Sequence, residues 1–191
     1  YAYYIIRALA QLDSYNQYLL YSDRPLRGGL ADLNCVDTEQ ESVVQPQFDN
    51  HGRQIINSPH HNFKVKLVKW SFKFLWTQGG LALEMLTAKP DILFIPAHVL
   101  PLIHPRRSVV TIHDIGFKQG GKFYSQDLII PKDKIGNRLF NCLLKIISGG
   151  RFSGNQLEYL HWSTDYALRR AKKIITISNF SKQELLKEYE A

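Results

Sequence analysis

Residues 91–117, DILFIPAHVLPLIHPRRSVVTIHDIGF, decide how the rest of the chain is read. They hold two short apolar runs, 92–95 (ILFI) and 109–112 (VVTI), each too short for a helix and rich in β-branched residues. Such runs are the pattern of strands buried on both faces, as in a parallel sheet. The second run ends on His113 and Asp114, with Gly116 close behind. Open α/β sheets place their ligand crevice beyond the carboxyl ends of the strands. His113 is therefore the first candidate for chemistry.

Working toward the amino end, residues 72–87 predict a helix with Leu75, Leu83 and Leu86 inward, weakened in the middle by Gly79-Gly80 and ended by Pro90. Val65, Leu67 and Val68 predict a strand, and the run YLLY at 18–21 predicts another. Between them, residues 24–62 hold most of the turn formers and little periodicity, which predicts a long surface loop with at most one helical turn. Residues 1–12 carry an apolar stripe of Tyr1, Tyr4, Ile5, Ala8, Leu9 and Leu12 at helical spacing, opposite Arg7 and Gln11.

Toward the carboxyl end comes a second insertion, residues 118–155. Within it, the segment between Lys132 and Ile147 sets Ile135, Leu139, Cys142, Leu143, Ile146 and Ile147 against Lys134, Arg138, Asn141 and Lys145. A basic amphipathic helix of this kind either packs on its own domain or lies on an anionic membrane surface. Residues 156–171 predict a helix burying Leu157, Leu160, Tyr166 or Ala167, Leu168 and Ala171, and KIITI at 173–177 predicts a strand. Ser181 and Glu184 have the spacing of a capping box, placing a helix start at Ser181. Alternating strands and helices predict an α/β fold with a doubly wound, mainly parallel Rossmann-like sheet. The expectation is one domain over residues 1–191.

Composition narrows the function classes. The 191 residues suffice for one domain with a core, and 45% hydrophobic with 21% charged residues is ordinary globular usage. No apolar run approaches the roughly 18–20 residues of a membrane-spanning helix, and the chain opens on Tyr1 in an already periodic segment rather than on a signal peptide. Cys35 and Cys142 show no metal-type spacing, which fits a reduced, cytoplasmic setting. A net charge of +7 favours anionic partners. The basic residues are scattered, however, and the one cluster, Arg169-Arg170 with Lys172-Lys173, falls at a helix carboxyl end where it complements the helix dipole. No nucleic-acid binding is expected. There is no phosphate-binding glycine loop and no nucleophile elbow. His60-His61 form no zinc pattern, while His98 and His104 lie beside prolines where they could line the crevice or simply be solvated.

The strings PDILFIPAHVLPL, SVVTIHDIGF and YLHWSTDYALRRAKKIITISNFSKQELLKEY, in that order and spacing, resemble the N-terminal domain of family-four retaining glycosyltransferases of the GT-B fold. In that family a strand ends in a V-x-T-x-H-D segment, matched here by Val110, Thr111, Ile112, His113 and Asp114. A later strand runs into T-x-S-x-x-S-K-x-x-L, matched by Thr176, Ile177, Ser178, Asn179, Phe180, Ser181 and Lys182. Family members open with a strand and a glycine-rich turn before a tyrosine-bearing helix, and Tyr1 resembles that tyrosine. The resemblance implies that the first strand and the C-terminal donor-binding domain lie outside this sequence, and that the isolated chain is inactive.

The resemblance implies a hexosyltransferase, mannosyl- or glucosyl-transferring, that moves a sugar with retention from a nucleotide-sugar donor to a glycan, lipid-linked or small-molecule acceptor. Cell-envelope polysaccharide synthesis at the inner face of the membrane is the implied setting. It implies no cofactor and no metal. His113 would meet the donor sugar, hydrogen-bonding a hydroxyl or stabilising charge, and Asp114 would orient the histidine or its loop. His98 would line the crevice, and Ser178 would stand at a helix amino end that suits an anion. His113 also has a purely structural alternative, as a strand-end hydrogen bond, and so do Ser178 and Ser181, helix capping alone accounting for Ser181. A second functional reading is a non-catalytic α/β domain that captures a phosphorylated or sugar ligand.

Overall fold

The computed structural model describes residues 1–33, 62–71, 75–119, 142, 145, 146, 148–150 and 155–189. The chain divides into two units, Tyr1–Ser71 and Phe72–Ala191. Every described strand pairs in parallel, so the protein is α/β with parallel sheets.

In the first unit, α1 (Ala2–Leu12) leads to β1 (Tyr18–Ser22), a 3-10 turn (Gly28–Leu33) and β2 (Phe63–Leu67). β1 and β2 pair from Tyr18 opposite Phe63 to Ser22 opposite Leu67. Tyr18 stacks on Phe63 at 4.4 Å between ring centroids, and Phe63 and Val65 form the buried face. Asp13 ends α1 by accepting from the backbone N–H of Tyr15 and Asn16 and from the Tyr18 hydroxyl. These donors hold its carboxyl far below the usual carboxylate range, the Asn16 side chain contributing most. The amphipathic pattern of α1 forms a helix but buries nothing: Tyr4 and Leu12 remain 74% and 85% exposed. In the 3-10 turn, a Cβ on Gly29 would come within 2.6 Å of the Tyr3 ring, so any larger residue would have to push that ring aside. Most of the loop expected over 24–62 lies outside the described residues.

The second unit holds the larger sheet, of order β3-β4-β5, with β3 (Leu93–Ile95), β4 (Ser108–Ile112) and β5 (Lys173–Thr176). β4 is the central strand, and Ser108, Val110, Thr111 and Ile112 are all fully buried, as the two-sided apolar run predicts. Its residues Val109 to Ile112 run alongside Lys173 to Thr176 of β5. β5 is half-exposed, with Ile175 at 38%, and Ile177 just past the strand is 55% exposed. Between β4 and β5 lie α3 (Gly116–Gln119) and α4 (Gln156–Arg170); α5 (Asn179–Tyr189) follows β5.

Two helical faces differ from the sequence pattern. α2 (Ala82–Ala88) is preceded by a π-helical turn, Thr77–Leu81, in which the Leu81 N–H reaches back five residues to the Trp76 carbonyl. That wider turn shifts the phase of everything after it. Leu81, Ala82 and Met85 are buried, while Leu83 and Leu86, expected inward, are 55% and 52% exposed. The helix ends at Ala88 with Lys89 left-handed, ahead of Pro90, as the proline predicts. In α4 the buried face is Trp162, Ser163, Thr164 and Ala167 rather than the leucine stripe. Small polar residues let the helix lie close to β4, and counting only apolar residues misses them. The amphipathic segment between Lys132 and Ile147 lies outside the described residues except for Cys142, Lys145 and Ile146, which are exposed.

Candidate functional site

The sheet places three of the candidate residues together at the carboxyl end of β4. His113 is the first residue past the strand, and its backbone N–H donates to Nε2 of His98 at 3.0 Å. His98 reaches this point from the bend after β3, and the two rings meet edge to face at 5.6 Å. Because Nε2 of His98 accepts, its proton sits on Nδ1 and the ring is neutral. Burial pushes its pKa down in the same direction and His113 adds to this, whereas the Asp114 carboxylate opposes it. His113 is fixed as well: its Nε2 lies 3.0 Å from the Pro96 carbonyl. A carbonyl only accepts, so Nε2 carries a proton and donates it to Pro96.

Asp114 is exposed and accepts the Gly116 N–H at 2.9 Å, closing the turn that starts α3. That hydrogen bond shapes the loop rather than the His113 ring.

The capping role expected of Ser181 falls to Ser178. The helix starts at Asn179, ahead of the start that the capping box implied, and the Ser178 hydroxyl accepts the Ser181 N–H at 3.1 Å as its cap. Ser181, buried at 7% exposure, donates its hydroxyl to the His113 carbonyl at 2.8 Å. The loop bearing His113 is thus held from β3 through His98 and Pro96 and from α5 through Ser181. Sequence reading missed this use of Ser181, because a capping motif already accounted for it.

Among the described residues of this unit, two of the clefts lie elsewhere and are not lined by His98, His113, Asp114 or Ser178. The first, about 570 Å³, is bounded by α3, α4 and α5 and includes His161, Asp165 and Lys187. In it Lys118 lies 3.9 Å over the Tyr189 ring and 3.6 Å from the Glu188 carboxylate. Burial, with the neighbouring acids, pushes the Tyr189 hydroxyl up to about 12. The second, about 850 Å³, lies at the opposite end of β4 and gathers His104, Arg106, Arg107, Tyr166, Arg170 and Lys172. Sequence reading saw only half of this cluster. The missing signal is topological: Arg106-Arg107 precede β4 and Arg170 with Lys172 precede β5, and neighbouring parallel strands start side by side.

Among the described residues no group of three or more His, Cys, Asp or Glu is placed to hold a metal ion, and no helix is long and apolar enough to cross a membrane. Comparison with protein-family models, curated protein sequences and solved structures finds no match to this chain.

Proposed function

We propose that the chain is the acceptor-side half of a retaining, nucleotide-sugar-dependent glycosyltransferase with a GT-B arrangement, its 191 residues forming one Rossmann-like domain. The observation that supports this reading most is the fixed His113 at the carboxyl end of the central parallel strand, beside His98 and ahead of the cap at Ser178. An open α/β sheet binds its ligands at that end. A histidine whose backbone and ring are both held before substrate arrives is preorganised for charge that develops later.

In this reading the donor's nucleotide is held by a second, C-terminal domain, and the sugar reaches His113 across the cleft. As the bond from the anomeric carbon to the diphosphate breaks, negative charge gathers on the leaving phosphate and positive charge on the ring. His113 hydrogen-bonds a sugar hydroxyl or meets that charge, Asp114 sets the loop, and His98 keeps the His113 backbone in place. The acceptor, a glycan or a lipid-linked molecule, enters over the loops after Pro96 and His113. The segment between Lys132 and Ile147 touches the membrane surface. No metal or cofactor takes part.

The test is His113→Ala in an enzyme that carries the donor-binding domain. Turnover should fall by about 10²–10³-fold, the scale of losing one preorganised electrostatic interaction, with the variant still folded. Undiminished turnover would sink the role. The competing reading, a non-catalytic domain that captures a phosphorylated or sugar ligand, draws on the absence of His113 from both clefts. Saturable sugar-ligand binding with no transfer to any acceptor would favour it.

A further inference from the structure

The cleft at the amino end of β4 carries four cationic side chains, Arg106, Arg107, Arg170 and Lys172, and no acidic one among its lining residues. All four cations are exposed, and none has a carboxylate partner among the described residues. The neighbouring Arg169 differs: it is tied to Asp165 one turn back, at 3.0 Å. Four cations lining one cleft give it a positive potential that favours an anionic ligand.

The loop that presents Arg106 and Arg107 is braced at several points. Gln78, 7% exposed, donates to the Leu100 carbonyl and accepts the Leu102 N–H, both at 3.0 Å. Tyr166 donates its hydroxyl to the Leu102 carbonyl at 3.0 Å. Ser108, fully buried, donates to the Pro105 carbonyl at 2.6 Å, with Nδ1 of His104 3.1 Å from the same hydroxyl. On either side the backbone is clamped, the Leu93 N–H donating to the Arg107 carbonyl and the Lys172 N–H to the Ser108 carbonyl. The cations stand on a fixed frame, which lowers the entropy lost when they close on a ligand.

We propose that this cleft is a binding site for a phosphate-bearing anion, with Arg106, Arg107 and Arg170 as forked donors to its oxygens and Lys172 as a point charge. Guanidinium groups match phosphate oxygens two at a time, which suits a ligand with more than one phosphate. The five residues of β4 put the cleft about 16 Å from His113, at roughly 3.3 Å per residue, so it is a site separate from the proposed transfer centre. The same phosphate chemistry has two sources: a soluble diphosphate-bearing molecule or an anionic lipid headgroup.

The experiment titrates inorganic pyrophosphate into the chain by calorimetry at about 0.15 M salt, where weak surface attraction is screened, and measures co-sedimentation with phosphatidylcholine vesicles containing phosphatidic acid. Saturable binding of either probe should weaken at least about tenfold in Arg106→Gln/Arg107→Gln, which removes two forked, charge-assisted donors, and less in Arg170→Gln, which removes one. Arg169→Gln, the same charge change outside the cleft, should bind like the parent. Binding of pyrophosphate identifies a soluble ligand; binding of vesicles that pyrophosphate does not displace identifies a lipid headgroup. No saturable binding of either probe overturns the proposal, as does an equal weakening in Arg169→Gln. Should the double variant not fold, Lys172→Gln replaces it under the same criteria. Turnover plays no part in the readout, so this site stands or falls independently of His113.

Discussion

The two ends of β4 use polar side chains in opposite ways. At the carboxyl end the side chains of His98, His113, Asp114, Ser178 and Ser181 all take part in hydrogen bonds within the protein, and these set the shape of the loop. At the amino end the frame is made by Gln78, Tyr166 and Ser108, while the four charged groups extend from it into an open cleft. The first end is built so that its residues hold one another. The second is built so that its residues are held but their charges are offered outward. Substitution should therefore cost folding stability at the carboxyl end and in the amino-end frame, and cost very little among the amino-end cations.

The sharpest break in that comparison would come from Gln78→Ala. It strands the Leu100 carbonyl and the Leu102 N–H in a buried setting, and should destabilise the fold by about 2–3 kcal/mol in urea unfolding. An effect near zero would mean that the basic loop is not braced. Ser181→Ala should follow at about 1–2 kcal/mol, since the His113 carbonyl loses its donor, with a shift in the Asp114 amide resonance, which shares that peptide group, marking where the loss occurs. Ser178→Ala removes only the helix cap and should cost about 1 kcal/mol.

A pH titration sharpens the carboxyl end further. Burial lowers the folded pKa of His98 below its ordinary 6.5, so the unfolded chain binds the extra proton first. The stability tied to neutral His98 is fully present above pH 6.5 and is lost as pH falls through that value toward the lowered folded one. His98→Gln keeps an acceptor for the His113 N–H and removes the titration. The urea midpoints of the two proteins should keep a constant gap above that window and converge or cross within it. His161, lowered by burial and by Lys118, adds a parallel slope common to both. The smallest effect belongs to the amino end: Lys172→Gln or Arg106→Gln should change stability by no more than about 0.5 kcal/mol, in keeping with an exposed site. A larger loss there would show the cations to be structural after all.

How far the fold could be read from the chain depended on how local each cause is. The runs at 92–95 and 109–112 announced the strands found at Leu93–Ile95 and Ser108–Ile112, because β-branched residues on both faces suit only a buried position. The start of α2 did not announce itself, because the π-turn at Thr77–Leu81 has no signature in the apolar spacing, and Leu83 and Leu86 turn outward. In α4 the inner face was hidden by Ser163 and Thr164, polar residues at positions of zero exposure. His113 and Asp114 were legible as strand-end residues, but the grip of Ser181 on the His113 carbonyl spans 68 positions and has no local signature. The basic cleft was half-legible for the same reason: its two arms lie more than sixty residues apart in the chain and meet only through the β4–β5 register.

The π-turn also bears on how the chain tolerates changes in its own length. A π-turn holds one residue more than an α-turn, so Thr77–Leu81 is where a single deletion can be absorbed without breaking a helix. Removing Gly79 or Gly80 would restore ordinary winding and change the phase of Gln78 relative to α2 by one residue, about 100°. Gln78 would swing away from Leu100 and Leu102 and leave the arginine loop unsupported. One surplus residue, ahead of a short helix, thus acts as the alignment pin for a charged surface nearly thirty positions further along the chain.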